Sequence, residues 1–292
     1  MAQTNPRNGA ASLRDLASRG PLMVPGVYDA LGARTAQQAG FEVISVSGNG
    51  VSASLLGLPD MGVLTMTEMV EHTRRIAESV DVPVIADGDT GYGGPLNVAR
   101  TVRSYEAAGA AAVHIEDQAM PKRCAYLPSD VRVVSLEEGK KRLSAALESR
   151  SSEDFLIIAR TDVRNVLGFD ETVKRCAAYA EAGADWVFCA ALGSLEEAAK
   201  IASEVPVPLM VNMNLAGAVG AATVEELNQA GVSVALYPSI ARNAAVRAFT
   251  DAFAALLRDG GQRRVRDLVA TPQEYDDLLD AERWQELDRR LG

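Results

Sequence analysis

Histidine, cysteine and basic charge are all in short supply in this chain of 292 residues. His72 and His114 are the only histidines, which excludes a three-histidine zinc site. The three cysteines, Cys124, Cys176 and Cys189, have no paired spacing. That odd count, with no apolar signal core in the opening MAQTNPRNGAASLRDL, leads us to expect a reducing compartment and a cytoplasmic protein. No apolar run approaches the roughly 18 residues of a membrane span. The net charge is −10 and no basic face is visible, so neither nucleic acid nor a membrane is expected as a partner. There is no Pro- or Ser-rich linker and no low-complexity tract. One domain over residues 1–292 is therefore expected, with hydrophobic residues at 48%, ample for one large core.

Short apolar runs, rich in β-branched residues, recur along the chain. They are Leu22–Val24, Val43–Val46, Val82–Ala86, Ala112–Ile115, Leu156–Ala159, Trp186–Cys189, Leu209–Val211 and Val232–Leu236. Between most of them lie stretches with helical apolar spacing: Leu96–Ala108, Thr172–Ala182, Leu195–Ser203 and Thr223–Ala230. Several end in Ala-Gly, at Gly40, Gly109, Gly183 and Gly231, where glycine can close a helix in the left-handed conformation. Eight strands alternating with helices predict a parallel sheet, and the count favours a closed (β/α)₈ barrel. The barrel is expected over about residues 20–258, with a helical extension over about 259–292. In that extension Leu278, Leu279, Trp284 and Leu287 form an apolar stripe, to be covered by another subunit or by the chain's own barrel.

Polar clusters fall at the exits of the runs: Ser47-Gly48-Asn49, Asp87 and Asp89, Glu116-Asp117, Arg160-Thr161-Asp162, and Asn212. A barrel carries its chemistry at that end. Asp87 and Asp89 sit two residues apart, and Asp60 in the loop SLLGLPDMGVLT can approach them. Carboxylates collect there only if a cation offsets their repulsion, and Mg²⁺ suits a set of hard oxygens. The alternative is that the aspartates only make turns or cap the following helix. Lys122, Arg123 and Cys124 lie in the polar segment QAMPKRCAYLPS, which reads as a lid. A cysteine beside two cations is expected to gain thiolate character, fitting it for proton transfer or attack. Cys176 and Cys189 read as core, His72 as solvent-facing. Arg160 can grip a carboxylate with two parallel hydrogen bonds, or pair with Asp162 or Glu116 instead. No full Gly-x-Gly-x-x-Gly pattern is present, which rejects a dinucleotide site.

The segments PGVYDALGARTAQQAGFEVISVSGNGVSASLLGLPD, ADGDTGYGG, HIEDQAMPKRC and IIARTD resemble the isocitrate lyase/phosphoenolpyruvate mutase superfamily, nearest to its 2-methylisocitrate lyase and 2,3-dimethylmalate lyase branch. The resemblance runs from about Pro25 to Pro238. It implies a barrel whose C-terminal helix is exchanged in a dimer or tetramer. It implies Mg²⁺, or Mn²⁺ in its place, held near Asp87 by Asp60, Asp89 and Glu116, mainly through waters. Ser47, Gly48, Asn49 and Arg160 would hold the carboxylate of the substrate, with Asn212, Tyr28 and Tyr126 around it. Cys124, supported by Lys122 and Arg123, would protonate an enolate released by retro-aldol cleavage of a 2-hydroxy di- or tricarboxylate. The family's lid pattern Lys-Arg-Cys-Gly-His is Lys122-Arg123-Cys124-Ala125-Tyr126 here, and Ala190 stands where the lyases place a Glu. Arg242 is a candidate counterpart of a further family arginine. These departures point to a changed second half of the substrate. Two rivals remain at this stage: a hydrolase or decarboxylase of oxaloacetate or phosphonopyruvate type, and a non-catalytic metal-binding barrel.

Overall fold

In a computed structural model, which describes residues 9–124 and 131–292, the eight apolar runs are eight strands. The element order is α1 (Gly9–Ser18), β1 (Leu22–Val27), α2 (Ala30–Gln38), β2 (Ile44–Val46), α3 (Gly48–Val51), α4 (Met66–Ser79), β3 (Val84–Asp87), α5 (Pro95–Ala107), β4 (Ala112–Glu116), α6 (Leu136–Ser149) and β5 (Leu156–Thr161). There follow α7 (Arg164–Leu167), α8 (Phe169–Glu181), β6 (Trp186–Cys189), α9 (Leu195–Glu204), β7 (Leu209–Asn212), α10 (Val224–Gln229), β8 (Val234–Tyr237), α11 (Ile240–Asp259), α12 (Pro272–Leu279) and α13 (Ala281–Leu291). The strands are parallel and close into a barrel in chain order, with Leu22 of β1 opposite Val234 of β8.

Side chains alternate across each strand, and the alternation divides the apolar residues between two cores. On β5, Leu156 and Ile158 point into the barrel with Trp186, Phe188 and Met210. Their neighbours Ile157 and Ala159 face outwards and pack beneath the helices. Leu13 and Leu16 of α1 belong to the inner core, so this helix plugs the barrel floor. The inward parity continues to the strand exits. There it turns from apolar to charged or polar: Asp87 on β3, Glu116 on β4, Arg160 on β5 and the amide of Asn212 on β7.

The helix ends follow the residue types. Thr65 and Thr223 form capping boxes with Glu68 and Glu226, satisfying amides that have no partner within the helix. Gly40, Gly109, Gly183 and Gly231 all have positive φ, between +71° and +98°, where a side chain would be strained.

One expectation needs correction. His72 is half-buried rather than solvent-facing, and its Nε2 meets the carbonyl of Tyr28, because α4 packs against the exit of β1. The helix after the eighth strand does not lie down on the barrel. Of the 20 residues of α11 only Ala255 is buried. Phe249 and Phe253 are exposed and stack on each other with ring centroids 6.0 Å apart. The final extension divides its loyalties. Arg34 Nε on α2 donates to the carbonyl of Leu278 at 2.8 Å, whereas Trp284 on α13 is 65% exposed. No helix of the described residues is long and apolar enough to cross a membrane.

Replacing Leu13, which is wholly buried, leaves a hole in the barrel floor. Leu13→Ala should lower stability by about 2–5 kcal/mol. Urea unfolding checks this, with a loss below about 1 kcal/mol denying that α1 is part of the core.

Candidate active site

A cavity of about 300 Å³ opens at the strand exits. Ser47, Asn49, Asp60, Asp87, Glu116, Lys122, Cys124, Arg160 and Asn212 all line it. The structure therefore gathers most of the residues singled out in the sequence, from seven separate places in the chain. Register explains part of this: Asp87 lies opposite His114, and Glu116 opposite Arg160.

Carboxylates dominate the floor. Asp87 Oδ2 accepts the Gly48 N–H at 3.0 Å and its Oδ1 accepts the Asp89 N–H at 3.2 Å. Strand β3 stops at Asp87, so alternation does not place Asp89; a left-handed turn with φ 47° does. Lys122 Nζ sits between two of the acids, 2.5 Å from Asp89 Oδ1 and 2.7 Å from Asp60 Oδ1. Glu116 Oε2 is 3.0 Å from Arg160 Nη1, and Glu116 Oε1 is buried with no hydrogen-bond partner. With Asp162, five carboxylates (Asp60, Asp87, Asp89, Glu116, Asp162) face two buried ammonium or guanidinium groups, Lys122 and Arg160. The protonation equilibria register this imbalance. Burial, with Asp87 and Asp60 adding repulsion against the pull of Lys122, pushes Asp89 up to about 6. Burial raises Glu116 well above the usual carboxylate range, although Arg160 opposes it. Burial also works on Asp87, but His114, Lys122 and Arg160 hold it below that range. Burial pushes His114 down to about 4, against the attraction of Asp87, so it is neutral at pH 7 and only Lys122 and Arg160 keep acting on Asp87 there. The four negative charges that surround Lys122 overcome its burial and hold it firmly protonated.

The guanidinium of Arg160 lies over Phe188, 5.2 Å from the ring centroid. Its Nε and Nη2 donate to Asp162 Oδ1 and Oδ2 at 3.1 and 3.0 Å. Asp162 thus occupies the fork that the sequence offered to a substrate, and Glu116 takes Nη1, so all three guanidinium nitrogens already have carboxylate partners. Arg123 Nη1 donates to the carbonyls of Met61 and Lys122 at 3.2 and 2.9 Å. Cys124 is partly exposed, and its Sγ accepts from Asn49 Nδ2 at 3.8 Å. Asn49 Oδ1 in turn accepts from Arg242 Nη1, at the start of α11.

Some expected positions fall elsewhere. The Gly48 N–H serves Asp87, and Ser47 Oγ accepts from Gly50 N as a helix cap at 3.2 Å, so this turn is committed to the protein's own groups. A Cβ on Gly48 would come within 2.7 Å of Asp87 Oδ2, which is why glycine stands there. Tyr28 does not line the cavity; the chain turns into α2 at this point and the Tyr28 side chain lies against Gly50. Ala125 and Tyr126 lie outside the described residues. Ala190 is fully buried and off the cavity lining. Asp117 points outward, opposite to Glu116, and accepts from Thr161 Oγ1, Arg175 Nη1 and Tyr179 OH at 2.7, 2.8 and 3.1 Å. Cys176 and Cys189 are buried side by side, Sγ to Sγ 3.1 Å. Arg242, offered by the resemblance as the counterpart of a family arginine, lines the cavity, and Phe188 and Asn214 join it without having been singled out as site residues by sequence. Only inward parity at a strand exit could have flagged Phe188, and nothing local marks Asn214.

A (β/α)₈ barrel with a carboxylate floor, a buried arginine and a cysteine at one mouth defines a class of enzymes acting on small acids. A family model described as phosphoenolpyruvate phosphomutase matches residues 13–257, and the chain belongs to that family, within the phosphoenolpyruvate mutase/isocitrate lyase superfamily. The 2,3-dimethylmalate lyase of Eubacterium barkeri is 40% identical over 286 residues, 98% of this chain and 99% of the relative. The 2-methylisocitrate lyase of Salmonella typhimurium is 39% identical over 279 residues, 95% of this chain and 94% of the relative. An oxaloacetate acetylhydrolase in complex with 3,3-difluorooxalacetate superposes with a TM-score of 0.91 at 34% identity, covering 99% of this chain and 98% of the other. A phosphonopyruvate hydrolase in complex with oxalate and Mg²⁺ gives a TM-score of 0.86 at 33% identity, covering 97% and 99%.

The opposed directions of Glu116 and Asp117 make a test. Asp117→Ala strands the buried Arg175 and should lower stability by about 3–5 kcal/mol. Affinity for any magnesium bound in the cavity should fall by no more than about tenfold, because Asp117 faces away and reaches the site only through the Asp162 N–H, which donates to its Oδ1 at 3.0 Å. A collapse of that affinity, read by calorimetry, would place Asp117 among the groups that face the cavity.

Proposed function

We propose that the chain is a Mg²⁺-dependent carbon–carbon bond lyase. Its substrate would be a substituted 2-hydroxy di- or tricarboxylic acid, split by retro-aldol cleavage through an enolate. The observation that carries this reading is the meeting, in one cavity, of an under-neutralised carboxylate floor with Arg160 and Cys124.

The donors suit a hard divalent ion: all are carboxylate oxygens, and the buried Glu116 Oε1 has no hydrogen-bond partner among the described residues. Among the described residues no three His, Cys, Asp or Glu side chains converge as direct ligands. Asp60, Asp87, Asp89 and Glu116 would therefore hold Mg²⁺, or Mn²⁺, largely through waters. When bound, the ion supplies positive charge beside the oxygens of the oxo-acid half as they become negative. Arg160 is pinned by Asp162 and Glu116, and the second N–H of Nη1, beyond the one that faces Glu116, would meet the carboxylate of that half. Ser47, Asn49 and Asn212 add polar groups to the wall, and Asn212 Oδ1 is buried without a partner. As the bond between C2 and C3 breaks, its electron pair passes to the departing fragment, and the 2-hydroxyl gives its proton to a carboxylate of the floor and becomes the carbonyl. Cys124 Sγ–H then protonates the enolate carbon. Lys122, held between Asp60 and Asp89, fixes the segment that presents the thiol.

A second reading is hydrolysis of oxaloacetate, favoured by the close superposition on the oxaloacetate acetylhydrolase. The products separate the two: oxalate with acetate for hydrolysis, a keto acid with a different carboxylate for the lyase. For the subunit arrangement we propose that a second copy covers the exposed apolar side of α11 and the stripe on α13, where Phe253 is 67% exposed.

With Mg²⁺ and a panel of substituted malates, keto acid release should appear. Cys124→Ala should reduce turnover on the best substrate by about 10²-fold or more. Full activity in that variant removes the thiol from the mechanism. Titration of the wild type with Mg²⁺ or Mn²⁺ in the presence of oxalate should give heat, and its absence would sink the whole reading. Sedimentation should show an oligomer that Phe253→Glu dissociates; a wild-type monomer would refute the assembly.

A further inference from the structure

Gln118 lies two residues beyond Glu116 and is 1% exposed. It does not line the cavity. Its backbone is anchored on both sides: it pairs with Val133, and its carbonyl accepts from Arg142 Nη1 at 2.9 Å. From that fixed base the side-chain amide makes three bonds. Nε2 donates to Asp162 Oδ2 at 2.5 Å and to the Arg123 carbonyl at 2.9 Å, and Oε1 accepts the Arg123 N–H at 2.9 Å. The pattern demands an amide in this orientation, because the reverse would set oxygen against a carboxylate and NH₂ against an N–H. One side chain therefore grips the carboxylate that holds the fork of Arg160 and also both backbone groups of the residue preceding Cys124.

We propose that Gln118 is a positioning residue that ties the guanidinium of Arg160 to the segment presenting Cys124. Through Asp162 it sets where Nη1 of Arg160 points. Through the backbone of Arg123 it sets where the thiol stands. The inference rests on the roles proposed above for Arg160 and Cys124, since positioning matters only if both touch the substrate. The residue type follows from the geometry. Leucine would leave the Arg123 N–H without its acceptor and take from Asp162 Oδ2 one of its two donors, leaving that oxygen to Arg160 Nη2 alone. Glutamate would keep the Oε1 acceptor, lose both donors and bring a second negative charge against Asp162.

The thiol itself reports the link, without substrate. Cys176 and Cys189 are fully buried, so alkylation of the folded, ligand-free protein by iodoacetamide reads Cys124, with Cys124→Ala as the blank. In Gln118→Leu the rate should rise about tenfold, and on the best substrate kcat should fall and KM rise, together lowering kcat/KM roughly 10–100-fold, the range for partners that orient site residues. A purely structural role would move the melting temperature and leave both readouts alone. If the Leu variant does not fold, Gln118→Glu is read in the same way. Alkylation within about twofold of wild type, in a folded variant with unchanged kcat, overturns the proposal. A wild type that neither binds oxalate with Mg²⁺ nor turns over any substrate refutes the lyase and hydrolase readings instead. The alkylation rate then still decides whether Gln118 sets the position of the thiol.

Discussion

The neutralisation of buried carboxylates governs the upper half of this barrel. Asp60, Asp87, Asp89, Glu116 and Asp162 stand within one small region, and only Lys122 and Arg160 repay them from inside it. Removing charge from water costs several kcal/mol per ion unless geometry and hydrogen bonding compensate. The protein compensates unevenly. Asp87 is held ionised by neighbouring charge and two backbone N–H groups, whereas Asp89 and Glu116 are pushed toward the neutral form. A floor in this condition favours an additional cation, and the same shortage makes Lys122 and Arg160 so tightly held.

From that balance follows the arrangement of the surrounding residues. Lys122 can satisfy Asp60 and Asp89 only by reaching down from its loop, which brings Arg123 and Cys124 over the cavity. Arg160 serves Glu116 with one nitrogen and Asp162 with two others, so carboxylates on both sides fix its guanidinium over the Phe188 ring. Behind the strands a second balance operates, between Asp117 and Arg175 with Tyr179 and Thr161. It fastens α8 to the exits of β4 and β5 and keeps the outward charge away from the cavity. Adjacent residues Glu116 and Asp117 thus do opposite work because a strand turns successive side chains to opposite faces.

Much of this was legible in one dimension. The eight apolar runs gave strand positions to within three residues at either end, since a strand buried on both faces must be continuously apolar. The Ala-Gly helix ends and the strand-exit polar clusters were equally plain. Three readings failed for physical reasons. The Gly48 amide was offered to a ligand although a neighbouring strand supplies Asp87 to take it. Tyr28 was given to the substrate although the chain has already turned toward α2. His72 was placed in solvent because its contact, Tyr28, lies 44 residues away in sequence.

The amino-acid order alone determined the barrel, its inward and outward faces, and the chemical character of its mouth, because each depends on local periodicity and on which residue follows each apolar run. Only the closed tertiary structure decided which charges meet. Lys122 against Asp60 and Asp89, Gln118 between Asp162 and Arg123, and Arg242 against Asn49 are pairings across separate loops. No spacing rule encodes them, since closing the sheet on itself is what brings the exits of distant strands within hydrogen-bond reach.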